Sequence, residues 1–356
     1  MQRLRVQRFA AAGLALVAIT SFTAACSSNN NSGGSGGSSG LSGTLNGSGS
    51  PFQLTFQQAA IQQFKSVQPN ITVNYGGGGS GKGRTDLSSN VVQFAGSDSP
   101  IPSDETASFK GKTVLYFPVI MGPITMSYNL SGIKNLKLTP KLISDIFQAK
   151  ITKWNDPAIK AVNPGVNLPS TPITLAVRSD SSGTTQNFTL FLMKGAGSDW
   201  KLGSSSTINW PSGAHAAMGN GGVAQVVKTT PGAIGYVDYA DAKASGLSFA
   251  TVQNKDGNFV APSPSSASAA GKTVTVAPNL TFAAAWQSGA TAYPITYQSW
   301  VLVYQKQSSA STVKNLKAYI GYLLGDGQKL LPGLGYAALP SNLDQQAKAQ
   351  LSKIGS

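Results

Sequence analysis

The sequence predicts an α/β fold with helices on both faces of its sheets. Three observations carry that expectation. Short apolar strands alternate with segments of helical period, joined by short loops. Several of these strands run straight into Gly-, Ser- or Thr-rich turns, where α/β sheets present ligands beyond the carboxyl ends of their strands. Past a leader and a polar tether, about 315 of the 356 residues remain, enough for two such domains with cores of their own.

The leader comes first. Arg3, Arg5 and Arg8 with no acid, an apolar run from Phe9 to Thr20 and the small residues "SFTAACSS" make residues 1–25 a secretory signal. The apolar run is short for a bilayer span. Cys26, the only cysteine, directly follows Thr23-Ala24-Ala25, as in a bacterial lipoprotein box. A lone thiol outside the cytoplasm has no partner, so lipidation accounts for it better than a disulfide. Residues 26–43 are then the lipidated cysteine and a flexible Gly/Ser tether. The expected location is extracytoplasmic, anchored to the cell membrane.

Leu54, Phe56, Ala59, Ala60, Ile61, Phe64 and Val67 mark one helix face, which Pro69 ends. "ITVNY" (Ile71–Tyr75) is a strand; Thr85–Val92 fits a helix, and "VQFAGSD" a short strand ending at Asp98. Val114–Asn129 is strand-rich, and Thr139–Gln148 starts as a helix with Pro140 in its first turn. "ITLAVRSD" (Ile173–Asp180) is a strand, followed by a helix over Asn187–Met193. Ala233–Val237, Thr273–Val276 and Ser299–Tyr304 are later strands, and Ser311–Leu324 is a helix.

Three turns have the chemistry of an anion site. "GGGGSGK" (Gly76–Lys82) satisfies the P-loop pattern up to its last position, where Gly83 replaces the Mg²⁺-binding hydroxyl. A nucleotide site is excluded by that loss and by the compartment. Glycine amides, the Ser80 hydroxyl and a following helix N-terminus can still hold an anion, although a plain flexible loop would read the same way. "VRSDSSGTTQNF" (Val177–Phe188) sets Arg178 beside Ser182, Gly183 and Thr184, with Asp180 placed to hold the guanidinium. Simple N-capping explains those hydroxyls but not Arg178. "FAGSDSPI" (Phe94–Ile101) ends a strand on Asp98, which alone reads as a turn or cap residue. A carboxylate suits an anion site only if the ligand carries a proton to donate, as HPO₄²⁻ or H₂PO₄⁻ does and sulfate does not.

Together the three turns, "FPVIMGPI" (Phe117–Ile124), "DIFQAKITKWNDPAIKAVNPG" (Asp145–Gly165), "GNGGVAQVVKTTPGAIGYVDYA" (Gly219–Ala240), "YPIT" (Tyr293–Thr296) and "GYAALP" (Gly335–Pro340) carry a resemblance. The chain resembles the phosphate-binding lipoproteins that feed bacterial phosphate ABC importers, from about Gly47 to Pro340. The resemblance implies a two-lobed periplasmic-binding-protein fold of type II. Lobe one would be residues 44–118 plus 297–356, lobe two residues 119–296, with crossovers near Val119 and Thr296. It implies one dehydrated phosphate held by Ser50, Phe52, Ser80, Asp98, Arg178, Ser182, Gly183 and Thr184, with Asp180 supporting Arg178. The implied partners are inorganic phosphate and the permease and ATPase subunits of an importer. The protein would be a monomer without cofactor or metal.

Pro51 departs from the pattern. In "GSGSPF" (Gly47–Phe52) it stands where the family has a threonine, and it has neither hydroxyl nor N–H. Ser50 and the Phe52 amide remain as donors. Lys82 adds positive potential near the cleft without an expected contact.

Other classes fit less well. The formal charge of +14 falls to about +11 without the leader, but the lysines are scattered and form no nucleic-acid module. A phosphate-ester hydrolase needs an activated nucleophile or metals. His215 is the only histidine, expected in a surface loop, and the sequence has neither H-E-x-x-H nor G-x-S-x-G. No catalytic residue is expected. A binder of another oxyanion, or a sensor or adhesion lipoprotein on the same fold, stays open as the alternative.

Overall fold

The computed structural model describes residues 40–355. The expected signal, the Cys26 lipidation site and most of the tether lie outside the described residues. The chain begins with β1 (Gly43–Gly49), α1 (Leu54–Val67), β2 (Ile71–Gly77), α2 (Ser80–Ser88), β3 (Phe94–Ser97) and β4 (Val114–Tyr128). It continues with β5 (Lys137–Leu138), α3 (Pro140–Phe147), α4 (Pro157–Val162), β6 (Thr174–Arg178), α5 (Gly183–Gly195), β7 (His215–Ala217), α6 (Gly219–Thr229), β8 (Ala233–Asp238) and α7 (Tyr239–Ala244). Short strands β9 (Ser248–Phe249), β10 (Thr251–Gln253) and β11 (Phe259–Val260) lead through α8 (Pro264–Gly271) to β12 (Thr296–Tyr304). Helices α9 (Ala310–Leu324), α10 (Leu331–Leu334) and α11 (Ser341–Gln350) follow.

The main sheet runs β2-β1-β3-β12-β4-β8-β6-β7, with β9 also paired to β4. β4 and β12 organise it. β4 pairs antiparallel with β12 as far as Pro123, then with β8 from Ile124 onward. One long strand therefore serves two half-sheets. Val119, the expected first crossover, lies in the β12-paired part, and Thr296 opens β12 opposite Pro123. Both strands are buried almost throughout, as continuous apolar runs covered on both faces should be.

Local chemistry sets the helix boundaries. Thr139 caps α3 by accepting from the Leu142 amide, with Pro140 in the first turn. On α1, Phe56, Ala60 and Phe64 face the core at helical spacing, whereas Val67 is exposed.

Three expectations need correction. Residues 43–49 form β1, a strand inside the sheet, although "GTLNGSG" has little β-propensity. Its glycines make room: a Cβ on Gly47 would sit 2.2 Å from the Phe94 ring, and one on Gly49 would sit 2.1 Å from the Gly96 carbonyl. The second helix starts at Ser80, not Thr85, so the glycine loop is split between the end of β2 at Gly77 and the first turn of α2. Thr273–Val276 is not a strand; it is half-exposed irregular chain without a pairing partner, and β-branched residues need a sheet to pack on.

Candidate functional site

Three predicted residues meet at the ends of β1, β3 and α2. Ser50 caps a short 3₁₀ turn over Pro51–Gln53, accepting from the Phe52 amide at 3.1 Å and donating to Oδ2 of Asp98 at 2.7 Å. Pro51 occupies the first position of that turn, where a missing N–H costs nothing. Phe52 stacks on Tyr297 with ring centroids 3.9 Å apart. Ser80 accepts from the Asp98 amide at 3.1 Å and lies 3.3 Å from Oδ2 of Asp98.

The glycines around Ser80 work by close approach. A Cβ on Gly81 would lie 2.0 Å from the Ser181 hydroxyl, and one on Gly83 2.7 Å from the Gly49 Cα. The Gly79 and Gly81 amides, expected to point at a ligand, donate instead to the carbonyls of Gly49 and Ser181. Lys82 is exposed and pairs with Asp86 four residues on at 2.7 Å. Arg84 is wholly buried, bidentate to Glu105 and within 3.2 Å of the Ser97 and Ser99 hydroxyls on either side of Asp98.

Asp98 itself is fully buried. Besides Ser50 and Ser80 at Oδ2, Oδ1 accepts from the Ser299 hydroxyl. Its backbone carbonyl accepts from Asn187 at 2.7 Å and Gln298 at 3.1 Å. Burial pushes the carboxyl up to about 6, opposed by the hydroxyls of Ser299 and Ser50, the Arg178 charge and Ser80.

The β6–α5 turn supplies the cation. Nε and Nη2 of Arg178 both donate to Asp180, and Nη1 approaches Thr184 Oγ1 at 3.2 Å and Asn220 Oδ1 at 3.4 Å. Burial works to raise the Asp180 carboxyl, but its bond to Arg178 and that residue's charge outweigh it and hold it low. Of the five guanidinium N–H bonds, one on Nη2 stays free for a ligand. Ser182 caps α5 by accepting from the Thr185 amide at 3.1 Å. Gly183 presses on the first cluster: a Cβ there would lie 2.4 Å from Ser80 Oγ and 2.6 Å from Asp98 Cβ.

The structure thus joins Ser50, Ser80 and Asp98, brings Gly183 against them, and links Arg178, Asp180 and Thr184. The Ser182 hydroxyl and the Phe52 amide are engaged in caps. His215 lies exposed on β7, a short strand rather than a loop. Sequence reasoning missed Ser299, Gln298 and Asn187. Nothing local marks the first two, which sit in or beside a strand read from its apolar residues. Asn187 follows Gly183 by one helical turn, and that spacing put it on the same face.

Comparison with known proteins identifies the family and the fold. Residues 34–326 match the model of the PBP superfamily domain. "Phosphate-binding protein PstS" of Pasteurella multocida is 34% identical over 313 residues, 86% of this chain and 89% of that protein. "Phosphate-binding protein PstS 3" of Mycobacterium leprae is 32% identical over 326 residues, covering 87% of each. Among solved structures, a high-affinity periplasmic phosphate-binding protein bound with phosphate at pH 8.5 superposes with TM-score 0.72 at 21% identity, over 86% of this chain and 93% of that one. A phosphate-binding protein from Stenotrophomonas maltophilia gives 0.68 at 19%, over 86% and 93%. The fold is the two-lobed type II arrangement, with β4 shared between the two half-sheets.

Proposed function

This chain belongs to the PstS family of phosphate-binding proteins within the PBP superfamily, and on that premise we propose that it captures inorganic phosphate and delivers it to a membrane ABC importer. One observation carries the reading: a buried carboxylate ringed by hydroxyls lies against a helix N-terminus and near a braced arginine. Neither half-sheet holds all of these groups.

The contacts we assign are Ser50, Phe52, Ser80, Asp98, Arg178, Ser182, Gly183 and Thr184. Arg178 supplies charge and Asp180 fixes its plane. The first turn of α5 adds N–H groups and the positive end of the helix dipole. Asp98 supplies selectivity, because an ionised carboxylate accepts the proton that phosphate still carries and repels an anion with none.

Capture works by closure of the lobes, residues 44–118 plus 297–356 against residues 119–296. Bonds between the two sides include the Gly81 amide to the Ser181 carbonyl at 3.0 Å and Asn187 to the Asp98 carbonyl. Phosphate adds bonds available only when both sides meet, so it shifts an open–closed equilibrium toward the form the permease recognises. The protein acts as a monomeric binder rather than a hydrolase, held at the membrane by lipid on Cys26. Relatives carrying the names of binding proteins support that side of the reading.

A direct test is to purify the protein from phosphate-containing medium, exchange the buffer, denature it and assay the anion released. Stoichiometric phosphate supports the proposal. No phosphate, from protein that also fails to bind it on re-addition, overturns it.

A further inference from the structure

Buried polar atoms in folded proteins are almost always paired, and each exception calls for a cause. Among the described residues, three buried side-chain atoms have no hydrogen-bond partner: Asn220 Nδ2, Tyr297 Oη and Asp344 Oδ1. Asp344 still pairs with Lys348 through its other oxygen. The other two border the site. Asn220, fully buried at the start of α6, turns Oδ1 toward Arg178 Nη1, the atom that also meets Thr184. Tyr297, fully buried on β12, stacks on Phe52, immediately after Pro51. Burial, then the charges of Asp238 and Asp98, raise its phenol well above the ordinary value while Thr184 pulls the other way, so it stays a proton donor with Thr184 at hand.

Pro51 is the reason two spare donors make sense here. Its ring lies against Gly219, the residue before Asn220. It brings neither N–H nor hydroxyl to a turn beside Asp98, so that turn gives an anion fewer bonds than its backbone path allows. We propose that Asn220 Nδ2 and Tyr297 Oη are two further donors to the bound phosphate, one from each half of the molecule, making up for the donors that Pro51 lacks. This rests on the proposed phosphate function and adds two residues to its site.

The Asn220 amide NH₂ can only donate, having no lone pair for the purpose, and the Tyr297 phenol, held protonated by its burial, has a hydrogen to give. They therefore suit ionised phosphate oxygens, whereas Asp98 takes the protonated one. Specificity is shared between a group that demands a proton and two that favour its absence.

The test is calorimetric titration of inorganic phosphate into the full chain, stripped of bound anion, beside Tyr297→Phe, Asn220→Ala and Asn220→Asp. Tyr297→Phe keeps the ring on Phe52 and deletes only the hydroxyl. It should weaken phosphate about tenfold while leaving the ligand-free melting temperature unchanged or higher, since no bond is lost. A purely structural role gives the reverse, a lower melting temperature with unchanged affinity. Asn220→Asp keeps the acceptor that faces Arg178 but replaces the donor with charge. It should bind phosphate at least about a hundredfold more weakly, and more weakly than Asn220→Ala. Wild-type affinity in all three variants overturns the inference and leaves phosphate binding standing. No heat from the unmutated protein overturns the function itself.

Discussion

Ser299 donates its hydroxyl to Oδ1 of Asp98 across 201 residues of sequence. It ends a buried chain of side chains. Tyr319 donates to Gln57, Gln57 to Gln53 at 2.9 Å, and Gln53 to Ser299 at 2.7 Å. Each donor is fixed by the acceptor beyond it, so the proton on Ser299 points at the carboxylate. The proposed selectivity of Asp98 therefore depends on residues that touch no ligand.

Ser299→Ala should leave Oδ1 without its donor and Gln53 without one acceptor. Phosphate affinity at pH 7 should fall about tenfold, the equivalent of ~1.4 kcal/mol, with stability lower by a similar amount. Unchanged affinity in a folded variant would show that the chain does not set the carboxylate.

The Asp98 carboxyl makes ligand-free stability depend on pH. Its folded value, raised to about 6, lies above the unfolded one near 3.8. Its contribution is therefore complete below the unfolded value and is lost as pH rises through the folded one. Between pH 4 and pH 7 the wild type should lose about 2 kcal/mol relative to Asp98→Asn. Urea unfolding of both proteins at the two pH values measures this. Parallel pH profiles would contradict it.

How much of this was legible in the sequence depends on how far apart the partners lie. Arg178 and Asp180 are two residues apart, and their pairing could be read from one turn. Asp98 at a strand end and Ser80 in the glycine loop were also visible locally. Ser299 was not, because its partner is set by the antiparallel register of β12 on β3 and β4. The glycines misled in an informative way. Gly79 and Gly81 read as loop residues offering amides to a ligand, yet tertiary contact gives those amides to Gly49 and Ser181. β1 was missed because Gly47 and Gly49 make room for the Phe94 ring and the Gly96 carbonyl, which composition cannot reveal.

Gly183 offers a steric test of closure. An alanine methyl there would clash with Ser80 and Asp98 across the cleft, at 2.4 and 2.6 Å, while its helical backbone accepts the substitution. Gly183→Ala should weaken phosphate about a hundredfold or more and leave the ligand-free melting temperature within a few degrees. Equal affinity would mean that the two sides need not approach this closely.

Two basic residues on α2 should behave oppositely. Arg84→Ala removes a fully buried guanidinium from half-buried Glu105 and from Ser97 and Ser99, and should cost about 3 kcal/mol. Lys82→Ala breaks only a solvent-exposed pair, at less than about 1 kcal/mol, with phosphate affinity within about twofold. Chemical denaturation with a parallel titration checks both. A large affinity loss in Lys82→Ala would place that lysine in the site.

The most direct measurement is calorimetric titration of the anion-stripped protein with phosphate and, separately, with equimolar sulfate, repeated on Asp98→Asn. The account predicts micromolar or tighter phosphate binding, no heat from sulfate, and a narrower gap between the two anions in the variant. Sulfate binding as tight as phosphate, or an Asp98→Asn variant with unaltered discrimination, would contradict it.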